Sequence, residues 1–355
     1  MNVRLPDFPW DTLAPVAARA REHADGIVDL SVGTPVDPTP DVVQQALRES
    51  ADSPGYPTTA GLAELAVACK GWMERRLGVG EVGFLPTIGS KEMVAWLPTG
   101  LGVGASDVVV IPEVAYPTYS VGAIVAGAEV VATDDVESVD NASMVWLNSP
   151  SNPTGSVLTI DRLRNIVAWA RERNITVVSD ECYIELGWEH EPVSILDPRV
   201  NDGDVTNLLA VHSLSKRSSM AGYRFGFLAG DAAVVGELLA VRKHLGMMVP
   251  KPIQWAAVAA YNDDAHVVEQ RNRYGRRRLE LKTALESSGF EIDHSVAGLY
   301  LWATRGQDSW ETAQWLAERG ILVAPGAFYG DETHVRVALT ATDERVDSAV
   351  SRLME

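Results

Sequence analysis

Residues 144–183 read MVWLNSPSNPTGSVLTIDRLRNIVAWARERNITVVSDECY, and this stretch decides the fold class. It opens on the apolar run Met144–Leu147 and turns through Asn, Pro and Gly. It then places Leu163, Ile166, Val167 and Ala170 at helical spacing, with charges on the other face. A second β-branched run, Thr176–Ser179, closes it. Strands without polar alternation need cover on both faces. A strand–helix–strand unit of this kind therefore predicts an α/β fold around a mostly parallel sheet.

The same rhythm extends outward. Val108–Ile111 and Glu129–Ala132 are strand candidates on one side, Leu208–Val211 and Phe225–Ala229 on the other. The short turn after Arg224 leaves little room for a crossover helix, so one strand is expected to run antiparallel. Beyond Gly230 the pattern changes. Asp231–Leu245 reads as a helix, Pro250 and Pro252 interrupt the chain, and a helical stretch runs from about Gln254 to Ser288 with a break near Asp263. Strands at Gly298–Ala303, Leu322–Ala324 and Val335–Leu339 then alternate with helices at Ser309–Arg319 and Asp343–Met354. The expected organisation is a large domain over 31–250 and a smaller α+β domain over 251–355, with the segment 1–30 packing on the latter.

Composition sets further bounds. The chain has 355 residues, 46% hydrophobic and 22% charged, which is ordinary globular usage. A formal charge of −18 opposes nucleic-acid binding, which needs a basic field, and any anionic ligand would require a local cluster of donors. Cys69 and Cys182 make neither a disulfide framework nor a metal-site spacing, so no metal is expected. The opening MNVRLPDFPWDTL lacks the apolar run of a signal peptide. The longest membrane-span candidate, Met93–Ser106, is broken by Pro98 and three glycines. The expectation is a cytoplasmic protein with no membrane partner.

Four features follow strand candidates, where open α/β sheets bind ligands. Asn148-Ser-Pro-Ser-Asn-Pro-Thr-Gly155 is by itself a polar turn. Asp180, in Ser179-Asp-Glu-Cys-Tyr183, is by itself a helix cap. Lys216, in Ser213-Leu-Ser-Lys216 ahead of Arg224, is by itself a surface charge, although a desolvated lysine near cations becomes an amine nucleophile. Thr87-Ile-Gly-Ser-Lys91 opens an apolar stretch as a glycine turn that offers backbone N–H groups to a phosphate.

In this order and together, these motifs resemble the fold-type I aminotransferases of class I and II, from Ser31-Val-Gly-Thr-Pro35 to the Arg336 region. The resemblance implies a seven-stranded sheet and pyridoxal 5′-phosphate as cofactor. It implies that Lys216 forms the Schiff base and later moves the proton at the substrate Cα. Asp180 would pair with the pyridine nitrogen, and Asn152 and Tyr183 with the phenolic ring oxygen. The phosphate would rest on the backbone N–H groups of Ser90 and Lys91, the Ser213 hydroxyl and Arg224. Tyr56 would reach it from the partner subunit of a homodimer. Tyr116 matches the aromatic that stacks on the ring, but the spacing from Pro112 is two residues longer than the family pattern, which leaves Tyr119 open. Arg336, in His334-Val-Arg-Val-Ala338, would clamp the substrate α-carboxylate, with Gly33 and Asn152 lining the pocket.

Phe8-Pro-Trp10, Gly33-Thr-Pro-Val-Asp-Pro38, Gly89-Ser-Lys-Glu92 and Ala115-Tyr-Pro-Thr-Tyr119 are most similar to actinobacterial N-succinyldiaminopimelate aminotransferases. Those act in lysine biosynthesis with glutamate and 2-oxoglutarate as the other pair. A substrate with a distal carboxylate would want a further cation. Arg217, Lys251 and Arg4 qualify by type, and nothing in the sequence ranks them. Three alternatives stand beside this reading: an aminotransferase for another amino acid, a fold-type I C–S β-lyase, and a cofactor-binding sensor domain of a transcription regulator. The last would need a DNA-binding module ahead of residue 30.

Overall fold

The computed structural model describes residues 5–355. The chain enters through α1 (Ala14–Arg21), β1 (Val28–Asp29), α2 (Asp41–Glu49) and α3 (Ala63–Leu77). Then come β2 (Gly83–Thr87), α4 (Ser90–Gly100), β3 (Val108–Ile111), α5 (Thr118–Ala126), β4 (Glu129–Ala132) and β5 (Ala142–Asn148). The next elements are α6 (Ile160–Arg173), β6 (Thr176–Asp180), α7 (Pro198–Asn201), β7 (Leu208–Ser213), α8 (Leu214–Arg217) and β8 (Gly226–Gly230). Three helices follow, α9 (Ala232–Leu245), α10 (Lys251–Asn262) and α11 (Ala265–Ser287). The chain finishes with β9 (Glu291–Asp293), β10 (Tyr300–Thr304), α12 (Ser309–Glu318), β11 (Ile321–Leu322), β12 (Ala324–Pro325), β13 (His334–Ala338) and α13 (Asp343–Met354).

The large sheet has seven strands in the order β2-β8-β7-β6-β5-β3-β4, and β8 runs antiparallel to both neighbours. Side chains alternate across it. Val145, Leu147, Val177, Leu208 and Ala210 enter one apolar cluster, and Met144, Trp146, Val178, Leu209 and Val211 enter the other. Both faces are covered, which is why these strands read as unbroken apolar runs. The expected mixed α/β sheet is present.

One strand of the large sheet escaped the sequence reading, as did the short β1 and β9. β2 (GFLPT) carries a glycine and Pro86, features that argue against a strand. It is tolerated because β2 forms the edge of the sheet. The expected strand Leu322–Ala324 is in fact two. β11 pairs in parallel with β1, and β12 joins the antiparallel sheet β12-β13-β10-β9. The helical break near Asp263 falls between α10 and α11.

Leu13, Val16, Ala17 and Ala20 of the N-terminal segment pack in one cluster with Leu301, Leu316, Val335 and Val346 of the C-terminal part. By contrast, α10 sends Ala256, Ala257, Ala260 and Tyr261 into the core beside the large sheet. The helix just past residue 250 therefore packs with the large layer.

Candidate active site

Strand register brings the motifs together. Asn148 pairs with Asp180 across β5 and β6, and Ser213, Gly226 and Thr87 lie in one row across β7, β8 and β2. The carboxyl ends of the central strands thus share an edge with the N-terminus of α4. A cavity of about 440 Å³ opens there. Its lining includes Ser90, Lys91, Tyr116, Asn152, Asp180, Tyr183, Ser213, Lys216, Arg224 and Arg336. Of the residues assigned from the sequence, Gly33 is absent from this lining but accepts a hydrogen bond from Lys216, and Tyr56 is also absent from it. It is 97% exposed, in the loop ahead of α3.

At one end of the cavity sits an anion cradle. No side chain caps the N-terminus of α4, so the Ser90 and Lys91 N–H groups point outward with the helix dipole behind them. The Ser213 hydroxyl is buried beside them. Arg224 takes a left-handed conformation (φ +55°) that costs about 1 kcal/mol, and this carries its guanidinium over Gly89. A Cβ on Gly89 would lie 2.4 Å from Arg224 Nη2, so only glycine leaves room for that approach. The donor set suits a phosphate dianion.

At the other end lies Asp180, buried at 8% exposure. Its Oδ2 accepts from the Tyr119 hydroxyl at 2.9 Å and its Oδ1 from the Cys182 N–H at 3.1 Å. Burial raises its pKa, and these two donors only partly oppose the rise. Behind it, burial pushes Glu181 up to about 8 and, with help from Arg217, His212 down to about 3. That pair is therefore uncharged near neutrality, and Asp180 is the carboxylate that faces the cavity. Tyr119 is buried with its hydroxyl on Asp180, whereas Tyr116 is half-buried and meets it edge-on at 6.2 Å.

Lys216 extends from α8 and donates from Nζ to the Gly33 carbonyl at 2.6 Å. Burial lowers its pKa to about 8, and the charges of Arg336 and Arg224 act in the same direction. Cofactor uptake should accordingly accelerate as the pH rises through about 8, because the neutral amine is the nucleophile. Stopped-flow mixing with pyridoxal phosphate reads this directly. A midpoint near the ordinary lysine value of about 10.4 would contradict it.

Arg336 on β13 is 1% exposed and has no carboxylate partner among the described residues. Its Nη1 donates to Asn152 Oδ1 at 2.8 Å and its Nη2 to the Ser31 carbonyl. A buried guanidinium without a counter-charge is costly, so this position awaits an anion. Of the three cations considered by type, Arg217 is buried in an ion pair with Glu185 (2.7 Å) and Lys251 is absent from the cavity lining. Arg4 lies outside the described residues.

Two side-chain roles in the lining have no counterpart in the sequence reading. Tyr300 on β10 lies diagonally across the antiparallel β10–β13 pair from Arg336, with its ring 4.0 Å from the guanidinium carbon. No local motif marks it; only the register between β10 and β13 reveals it. The second is the side chain of Lys91, expected to serve through its backbone alone, which stands exposed at the mouth over the rings of Phe8 (5.4 Å) and Tyr116 (5.7 Å). Among the described residues no group of acidic, His or Cys side chains is suited to a metal ion, and no helix is long and apolar enough to cross a membrane.

A phosphate cradle, an inward-facing carboxylate and a lysine of lowered pKa in one crevice define the site of a pyridoxal-phosphate enzyme. The chain belongs to the aminotransferase class I and II family, whose model matches residues 25–353. It is 59% identical to a probable aminotransferase of Mycobacterium tuberculosis, over 99% of this chain and 86% of that protein. It is 54% identical to the 4-dedimethylamino-4-oxo-anhydrotetracycline transaminase of Streptomyces rimosus, covering 98% and 99% of the two. Among solved structures it resembles a probable N-succinyldiaminopimelate aminotransferase from Thermus thermophilus, with TM-score 0.88, 28% identity and coverage of 98% and 99%. The protein is a pyridoxal-phosphate-dependent transaminase acting on amino acids and 2-oxo acids.

Proposed function

We propose that Lys216 carries the cofactor and that the amino donor bears a second carboxylate, with N-succinyl-LL-2,6-diaminopimelate and 2-oxoglutarate as the substrate pair. The observation that carries this reading is the charge lining the cavity. Lys91, Lys216, Arg224 and Arg336 face a single carboxylate, Asp180, in a chain of net charge −18.

Each charge has a use. Pyridoxal phosphate, when bound, supplies an aldehyde for the lysine and a ring that accepts electrons from the substrate Cα. Arg224, Ser213 and the N-terminus of α4 hold its phosphate, and Asp180 holds its ring nitrogen protonated. The amide nitrogen of Asn152 donates to the ring oxygen, since its Oδ1 is on Arg336. Tyr116 stacks on the ring face, because Tyr119 is already engaged with Asp180. Arg336 receives the substrate α-carboxylate beside the Gly33 backbone. Lys216 Nζ would move the proton at the substrate Cα. Lys91 is then the cation left over. Tyr56, exposed on one protomer, completes the phosphate site of the partner in a homodimer.

The similarity to the Thermus thermophilus protein supports the succinylated donor. A second reading, transfer to a bulky ketone, is supported by the Streptomyces rimosus relative at 54% identity. A half-reaction screen tests both. The loaded protein is mixed with N-succinyl-diaminopimelate, glutamate and monocarboxylate donors while the visible band is followed, and a polycyclic ketone is included among the acceptors. Release of pyruvate and ammonia without an oxo acid would instead mark β-elimination.

The role of Lys91 has its own consequence. Lys91→Met should raise KM roughly tenfold for donors with a second carboxylate and leave alanine unchanged, because its exposed ammonium makes one charge-assisted contact. An equal change for both donor types would remove Lys91 from substrate selection.

A further inference from the structure

We propose that Tyr300 is a positioning residue that ties the guanidinium of Arg336 to the hydroxyl of Tyr183, so that one side chain sets the carboxylate end and the ring end of the site. The proposal rests on the reading of this cavity as the cofactor site.

Tyr300 is 3% exposed and makes three contacts that converge on reacting groups. Its ring lies against Arg336, with the guanidinium carbon 4.0 Å from the centroid. Its hydroxyl is 3.1 Å from the hydroxyl of Tyr183, with the two rings edge-on at 5.8 Å. It also presses on Gly33, where a Cβ would come within 2.6 Å of Tyr300 Oη. Gly33 takes a left-handed conformation (φ +68°) and accepts from Lys216 through its carbonyl, so the same residue backs the turn on which the lysine rests. The register dictates this. Tyr300 pairs with Ala338 and Trp302 with Arg336, which sets the tyrosine diagonally beside the arginine on one face of the sheet.

The hydrogen bond between the two phenols has a directional consequence. Each hydroxyl carries one proton, and among the described residues each has the other as its partner. One bond uses one proton, so the other proton must point elsewhere. Both residues line the cavity. If Tyr300 donates to Tyr183, the Tyr183 proton is directed into the cavity, where an anionic ring oxygen accepts it. A donor whose own oxygen accepts a hydrogen bond is also a stronger donor. Burial raises the pKa of the Tyr183 phenol, so it keeps that proton over the working pH range. The ring of Tyr300 does separate work, holding Arg336 flat through a cation–π contact.

Two variants separate these arms. Tyr300→Phe keeps the ring and removes the hydroxyl. The hydrogen bond stabilises the anionic ring oxygen and so lowers the proton affinity of the lysine–cofactor nitrogen. Its loss should raise the pH midpoint of the visible band of the loaded protein by roughly half to one unit, with KM for the amino donor within about twofold. Tyr300→Leu removes both and should raise that KM roughly tenfold further. A purely structural role would lower the thermal midpoint of both variants without moving the band. An unmoved band in Tyr300→Phe overturns the hydroxyl arm, and that isosteric variant decides it even if the leucine variant does not fold. Equal donor KM in the two variants overturns the ring arm. If the unsubstituted protein gives no visible band that borohydride fixes, the cofactor reading falls. A normal band there, with an unmoved midpoint in Tyr300→Phe, defeats the Tyr300 proposal alone.

Discussion

Lys216→Ala should retain pyridoxal phosphate by its phosphate cradle yet lose the covalent bond, and turnover should fall by roughly four orders of magnitude. The size of the loss follows from the absence of a substitute. A guanidinium is neither an amine nucleophile nor a base in water, so Arg224 and Arg336 cannot take the lysine's place. Lys91 is committed to the cavity mouth over Phe8 and Tyr116. Lys216, by contrast, has a pKa lowered to about 8 and donates to the Gly33 carbonyl at the centre of the site. Borohydride followed by peptide mapping should label Lys216 in the unsubstituted chain and leave the variant unlabelled. The fold should survive the substitution. It removes one hydrogen bond, worth about 1 kcal/mol, and relieves an ammonium held near two guanidinium groups. Normal turnover in the variant would remove Lys216 from the mechanism.

How far the sequence discloses this site depends on whether a residue's role is local. Asp180 and Ser213 end their strands, Asn152 and Lys216 follow theirs by a few residues, and parallel strands bring their carboxyl ends to one edge, so linear motifs map directly onto the crevice. The α/β class was legible for the same reason, since an unbroken apolar strand and an amphipathic helix leave different periodicities. β2 was hidden because an edge strand tolerates Pro86, which in a central strand would remove a ladder bond. The stretch around Leu322 divides between two sheets, and nothing local marks the point where partners change. Tyr300 was invisible because its meaning lies in the register between two strands distant in sequence, and the Lys91 side chain because its neighbours Phe8 and Tyr116 come from distant parts of the chain. Arg217 shows the converse. It sits next to the lysine and qualified by charge, yet it is buried against Glu185, Trp72 and Tyr261.

For Asp180 the expected result has two parts that pull in opposite directions. Asp180→Asn should lower turnover by roughly two to four orders of magnitude, the range for a lost proton-holding group, because an amide cannot keep the pyridine nitrogen protonated. The ligand-free protein, however, should be no less stable. Burial raises the Asp180 pKa above the ordinary 3.8, which means the folded state disfavours its charge despite the bonds from Tyr119 and Cys182. A carboxyl group with a raised folded pKa binds protons more tightly when folded. The penalty is therefore absent below the unfolded pKa and grows as pH rises through the folded one. An asparagine is free of that penalty: its Oδ1 can still accept from the Cys182 N–H while its Nδ2 donates to the Tyr119 hydroxyl oxygen. At pH 7 the thermal midpoint of the ligand-free variant should equal or exceed that of the unsubstituted chain, and the difference should close as pH falls toward 3.8. A marked drop in the midpoint at pH 7 would show that Asp180 serves the fold. Stability retained with activity lost would show instead that its charge is held, at a cost, for the cofactor.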